Sequence, residues 1–92
     1  MKRPTKMPEL ARFYGIVIRM YPNDHNPPHF HATYGEHEAV IELDTWEVKA
    51  GWIPARGLRL VREWASLHSR ELRANWELTR QGKPTKRIAP LD

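Results

Sequence analysis

His29-Phe30-His31-Ala32-Thr33-Tyr34-Gly35-Glu36-His37-Glu38-Ala39-Val40-Ile41-Glu42-Leu43 is the stretch that decides the fold. Apolar and polar side chains alternate on both sides of Gly35-Glu36, a two-residue loop with Gly first. That is the signature of two strands joined by a type II′ turn. The turn dictates a register: Tyr34 opposite His37, Thr33 opposite Glu38, Ala32 opposite Ala39, His31 opposite Val40, Phe30 opposite Ile41 and His29 opposite Glu42. In that register Phe30, Ala32, Tyr34, Ala39, Ile41 and Leu43 share one face. His29, His31, Thr33, Glu38, Val40 and Glu42 share the other. A slip of one residue would move each strand's apolar set to the wrong side, so the clean sorting supports this register.

The flanks extend the pattern. Residues 12–21 are rich in β-branched and aromatic side chains and read as one strand ended by Pro22. Residues 22–28 hold three prolines and the turn formers Asn23, Asp24 and Asn26, and read as a loop. Residues 46–52 suggest a short further strand interrupted by Gly51, after a turn at Asp44-Thr45. From Pro54 the period changes to three and four: Leu58, Val61, Ala65, His68 and Leu72 form an apolar stripe. Pro54 can open a helix, because its missing N–H is not needed there. Arg56, Arg59, Arg62, Glu63, Ser66 and Arg70 would fill the outer face of that helix. Ser69 is placed to cap a second helix that buries Leu72 and Trp76, and Gly82 and Pro84 stop it. One long bent helix is the alternative. The expected architecture is a single α+β domain: a small antiparallel sheet of three to four strands followed by two C-terminal helices packed on one face. The proline-containing ends, about 1–9 and 83–92, are expected to be loose.

Composition sets outer limits. The 92 residues fit one small domain, and the absence of cysteine excludes disulfides and thiolate metal sites. No apolar run approaches the roughly 20 residues needed to span a bilayer. The expectation is a cytoplasmic protein without a membrane partner. The formal net charge of +4 permits an anionic partner without requiring one. No Walker loop, dinucleotide fingerprint or nucleophile elbow is present.

The chemistry concentrates in Asp24-His25-Asn26-Pro27-Pro28-His29-Phe30-His31, which holds three of the five histidines. His29 and His31 are two apart on a strand, so their rings point the same way. Glu42 lies opposite His29, Glu38 is on the same face, and Arg19 joins them if the first strand pairs beside the hairpin. His25 and Asp24 lie on the loop above. Three readings are open. As a metal site, His25, His29, His31 and Glu38 would offer imidazole and carboxylate ligands to a divalent ion of the zinc, manganese or iron type. As a cofactor-free catalytic site, His29, His31 and Glu42 would exchange protons near neutrality and Arg19 would stabilise negative charge. RNA cleavage needs little more, since the 2′-hydroxyl supplies the nucleophile. As a plain sheet face, the same residues would be solvated cross-strand pairs.

The stretches Ala11-Arg12-Phe13-Tyr14-Gly15-Ile16-Val17-Ile18-Arg19-Met20-Tyr21 and Asp24-His25-Asn26-Pro27-Pro28-His29-Phe30-His31-Ala32 resemble domain-of-unknown-function family 4160, a family of small prokaryotic proteins. Glu38-Ala39-Val40-Ile41, Glu63-Trp64-Ala65, Asn75-Trp76-Glu77-Leu78 and Gln81-Gly82-Lys83-Pro84 extend the resemblance over roughly residues 8–91. It implies a small protein partner of family 2442 and a toxin–antitoxin arrangement with RNA as a target. It brings no established catalytic residues. The family pattern expects an acidic residue near position 33, where this chain has Thr33, and that departure counts against a metal there. The leading expectation is a toxin-like member of a two-protein module acting on RNA. The alternatives are a non-enzymatic binding module and a small metalloprotein.

Overall fold

The computed structural model describes residues 8–22 and 24–92, so most of the expected N-terminal leader lies outside the described residues. The chain runs β1 (Glu9–Phe13), β2 (Ile16–Arg19), β3 (His29–Tyr34), β4 (His37–Glu42), β5 (Val48–Trp52), α1 (Ala55–Leu67) and α2 (Ser69–Arg80). The five strands form one antiparallel sheet in sequence order. This is the α+β class expected, with a sheet of five strands rather than three to four.

The extra strand comes from residues 12–21, which are not one strand. Tyr14 and Gly15 both adopt left-handed backbone, with φ of 49° and 82°. Two consecutive left-handed residues make the tight turn that suits a twisted hairpin, and β1 folds back on β2 there. Phe13 pairs with Ile16, and Arg12 with Val17. The β3–β4 hairpin, by contrast, forms in all six expected pairs, from His29↔Glu42 to Tyr34↔His37.

The pleat then sorts the sheet. Ile16, Ile18, Phe30, Ala32, Ala39 and Ile41 are fully buried on one face. The helices cover that face. Trp64 of α1 sets its ring 5.4 Å from Phe13 and 6.1 Å from Phe30. Val61, Ala65, Leu72 and Trp76 complete the apolar layer. Fully burying side chains of this size contributes roughly 1.5–3 kcal/mol each, which is how a small domain offsets chain entropy. Two helices form, not one bent one. His68 (φ −123°, ψ 30°) leaves helical geometry between them and occupies the capping position expected of Ser69, which instead begins α2.

The C-terminal segment, expected to be loose, is docked. Asn75, 2% exposed, grips the backbone of Lys86 from both sides: its Nδ2 donates to the Lys86 carbonyl at 2.9 Å and its Oδ1 accepts the Lys86 N–H at 2.8 Å. Ile88 is buried and its N–H donates to Leu10 O at 2.8 Å, while Trp64 Nε1 donates to Ala89 O at 2.8 Å. Proline forbids a helix here, but extended backbone can still be fixed by partners from elsewhere. At the other end, Glu9 belongs to β1 rather than to a leader. Among the described residues no helix is long and apolar enough to cross a membrane.

Candidate metal centre

The pleat of β3 turns His29 and His31 away from the Phe30 side, with His29 at the start of the strand packed beside Trp76 of α2, and the loop before β3 folds back over them. Asp24 closes the group. Its Oδ2 lies 2.7 Å from His29 Nε2 and 3.6 Å from His31 Nε2. One ligand atom from each of Asp24, His29 and His31 lies within 4.8 Å of the others, a spacing at which one cation can touch all three.

Each ring is also held from behind. His29 Nδ1 donates to the Pro27 carbonyl at 2.7 Å, and His31 Nδ1 meets Glu38 Oε2 at 2.9 Å. An imidazole whose Nδ1 is tied to a carbonyl or carboxylate presents Nε2 forward, the usual outer-sphere support of a metal-binding histidine. His31 also stacks on Tyr21, with centroids 4.1 Å apart and planes 8° from parallel. His29 is buried with its ring centroid 5.2 Å from that of Trp76. With the Nδ1 of His29 donating to a carbonyl, its Nε2 confronts a carboxylate oxygen, and a proton or metal cation must lie between them. His31 Nε2 is buried and has no hydrogen-bond partner among the described residues.

Asp24 carries the negative charge of the group. Burial pushes its carboxyl upward. The hydrogen bond with His29, the backbone N–H of His25 at 3.0 Å and the nearby imidazoles outweigh that and hold it below its usual value. It is ionised, as a ligand has to be. The three groups sit on the floor of a cleft of about 460 Å³ whose walls include Tyr21, Pro27, Val40 and Lys49. A second cleft of about 410 Å³, between α2 and the docked tail, brings no imidazole to its walls.

The family model for a domain of unknown function, DUF4160, matches residues 15–77, more than half the chain. The chain belongs to the DUF4160 family. No curated protein and no solved structure matches it. The DUF4160 match contains the whole cleft floor and its supports, whereas β1 and the docked tail fall outside it.

Not every residue expected at the site of this DUF4160 chain is there. Glu42 pairs with His29 in the ladder, but its carboxylate turns to Thr45 Oγ1 at 3.3 Å and Lys49 Nζ at 3.4 Å. Arg19 is opposite His31, yet among the described residues it makes no hydrogen bond or ion pair with the histidines or Glu42. His25 points outward, its side chain 89% exposed, with Nδ1 3.3 Å from Asp24 Oδ1. Glu38 reaches the rear nitrogen of His31, not the point of convergence. Thr33 donates to Val17 O at 3.5 Å, and the carboxylate beside the imidazoles comes from the loop instead. Asp24, Tyr21 and Lys49 belonged to neither expected ligand set. Strand alternation does not extend to a loop, and only the short, proline-stiffened spacing from Asp24 to His29 hints at the fold-back.

Proposed function

We propose that this protein is a small metal-dependent enzyme in which Asp24, His29 and His31 hold one divalent transition-metal ion. One observation carries the reading: both Nε2 atoms and the Asp24 carboxylate converge while both Nδ1 atoms are tied from behind. Two histidines and one carboxylate suit zinc, iron(II) or manganese. Three protein ligands beside an open cleft fit the catalytic pattern, in which positions are left for substrate, rather than the closed four-ligand pattern of a structural ion. When bound, such an ion supplies Lewis acidity toward an oxygen-bearing substrate.

The metal-free reading, in which His29, His31, Glu42 and Arg19 cleave RNA within a toxin-like two-protein module, has weaker support. Glu42 is engaged by Thr45 and Lys49, and Arg19 makes no polar contact with the histidines among the described residues.

The test is titration of chelator-treated protein with Co²⁺ and Zn²⁺, followed by calorimetry and by the visible absorption of bound Co²⁺. One equivalent binds to the wild type. Asp24→Ala, His29→Ala and His31→Ala each abolish stoichiometric uptake with the fold retained. Glu38→Gln, which alters only the support behind His31, weakens binding about 10–100-fold. His25→Ala binds like the wild type. Folded wild-type protein that takes up no metal, or equal losses in His25→Ala and Asp24→Ala, would sink the proposal.

A further inference from the structure

The cleft has a cation of its own, placed there by an irregularity in the sheet. Along β4 and β5, Val40 pairs with Ala50 but the next residue, Ile41, pairs with Val48. Lys49 is therefore the extra residue of a β-bulge. In a regular strand Lys49 and Ala50 would point to opposite faces. The bulge turns both toward the cleft, where they line the same wall, and Lys49 Nζ reaches Glu42 on the histidine face. Bulges recur next to functional sites because they re-aim one side chain in this way.

Resting on the metal reading above, we infer that the cleft takes a small organic oxyanion. Its oxygens face the ion and its charge is met by Lys49. Three observations agree. At the ion itself, a divalent cation with Asp24 as its single carboxylate ligand leaves one net positive charge for an anion to meet, while Glu38 stands behind His31 and Glu42 and Glu47 stand beside the Lys49 ammonium. The ammonium is loosely held, 3.4 Å from Glu42 and 3.7 Å from Glu47 with its side chain 48% exposed, so it can turn to a ligand. Apart from the exposed His25 at the rim, the remaining walls, Tyr21, Pro27, Val40 and Ala50, are mostly apolar, and the volume of about 460 Å³ falls within the roughly 300–1,000 Å³ of small-molecule sites. Such a site selects a carboxylate or phosphorus oxyanion on a compact apolar body.

Benzoate and phenylphosphonate are the two probes, titrated by calorimetry into wild-type, Lys49→Gln and Lys49→Arg protein carrying one equivalent of Zn²⁺, with metal-free protein as control. At least one probe binds the metal-loaded wild type one to one. Lys49→Gln weakens it about tenfold or more, as expected for losing one charge-assisted contact, and Lys49→Arg restores most of the affinity. Which probe binds more tightly decides between a carboxylate and a phosphorus oxyanion. Zinc-loaded protein that binds neither anion overturns the inference while leaving the metal site intact. So does binding that Lys49→Gln leaves unchanged, or binding equal in the metal-free protein. Failure to take up zinc removes the metal reading itself, and this inference with it.

Discussion

Gly51→Ala and Gly35→Ala form a matched pair that separates backbone strain from steric exclusion. Both glycines have left-handed backbone, with φ of 75° and 62°. They differ in what surrounds them. A Cβ at Gly51 would lie 2.1 Å from the Glu38 carbonyl oxygen, 3.1 Å from its carbon and 3.2 Å from Ala39 Cα, whereas a Cβ at Gly35 meets nothing within 4 Å. Both variants carry the left-handed penalty of about 1–2 kcal/mol for a residue with a Cβ, and both recover about 0.5 kcal/mol from a less free unfolded chain. Gly35→Ala therefore costs about 1 kcal/mol. At Gly51 the obstacle is the backbone of β4, which cannot rotate aside. The strands must separate, adding about 1–3 kcal/mol of overpacking and about 1 kcal/mol for a weakened ladder bond. Gly51→Ala thus costs about 3–5 kcal/mol. The expected gap of about 2–4 kcal/mol corresponds to roughly 10–30 °C in Tm for a domain of this size. Urea and thermal unfolding followed by tryptophan fluorescence measure it directly. Two variants within about 0.5 kcal/mol of each other would refute the reasoning, because the β4–β5 approach would then not be tight enough to demand glycine.

Asn75→Ala removes both bonds to the Lys86 backbone and leaves that backbone without its partners, so it costs about 2–3 kcal/mol. Limited trypsin digestion should then cut at Lys86 or Arg87 well before the rest of the domain. Trp64→Phe gives up the bond to Ala89 and opens a gap against Phe13 and Phe30, lowering stability by about 1–3 kcal/mol in urea melts. Metal uptake should not change, since Trp64 lies on the other side of the sheet. Glu9 is lowered from 4.5 to about 2, chiefly by its hydrogen bond with Arg12 and also by Arg87, against a smaller opposing effect of burial. A depressed carboxylate contributes stability that is complete above about pH 4.5 and is lost as pH falls toward about 2. Glu9→Gln should therefore be less stable than wild type at pH 6, with the difference closing as the pH approaches 2 in acid titrations read by circular dichroism.

How much of the fold could be read in the chain depended on the range of the interactions that set it. The β3–β4 hairpin was fully legible because its register is fixed by two local facts, a Gly-first loop and an alternation of period two. The β1–β2 turn was not. Gly15 sits among β-branched and aromatic residues, and Tyr14 carries none of the turn chemistry of Asn or Asp, so the run reads as one strand. The docked tail was illegible for another reason. Nothing in Lys83-Pro84-Thr85-Lys86-Arg87 is periodic, and its place is set by Asn75, Trp64 and Leu10, side chains and backbone that the fold brings to it from elsewhere.

The site divides along the same line. The pleat determines which side a residue faces, so His29 and His31 were certain to stand together. It does not determine which neighbour each one meets. Glu42 is directly across from His29, yet its carboxylate goes to Lys49 and Thr45. Glu38 is across from Thr33, yet it reaches diagonally to His31, the kind of contact that long side chains on adjacent strands make. The deciding group, Asp24, lies beyond any strand pattern, and what marks it is chemical. It sets an acceptor-only carboxylate against two nitrogens whose rings are already tied at Nδ1. Among the described residues His31 Nε2, 3.6 Å from Asp24 Oδ2, has no hydrogen-bond partner. On the proposed reading a single ion would satisfy all three atoms at once.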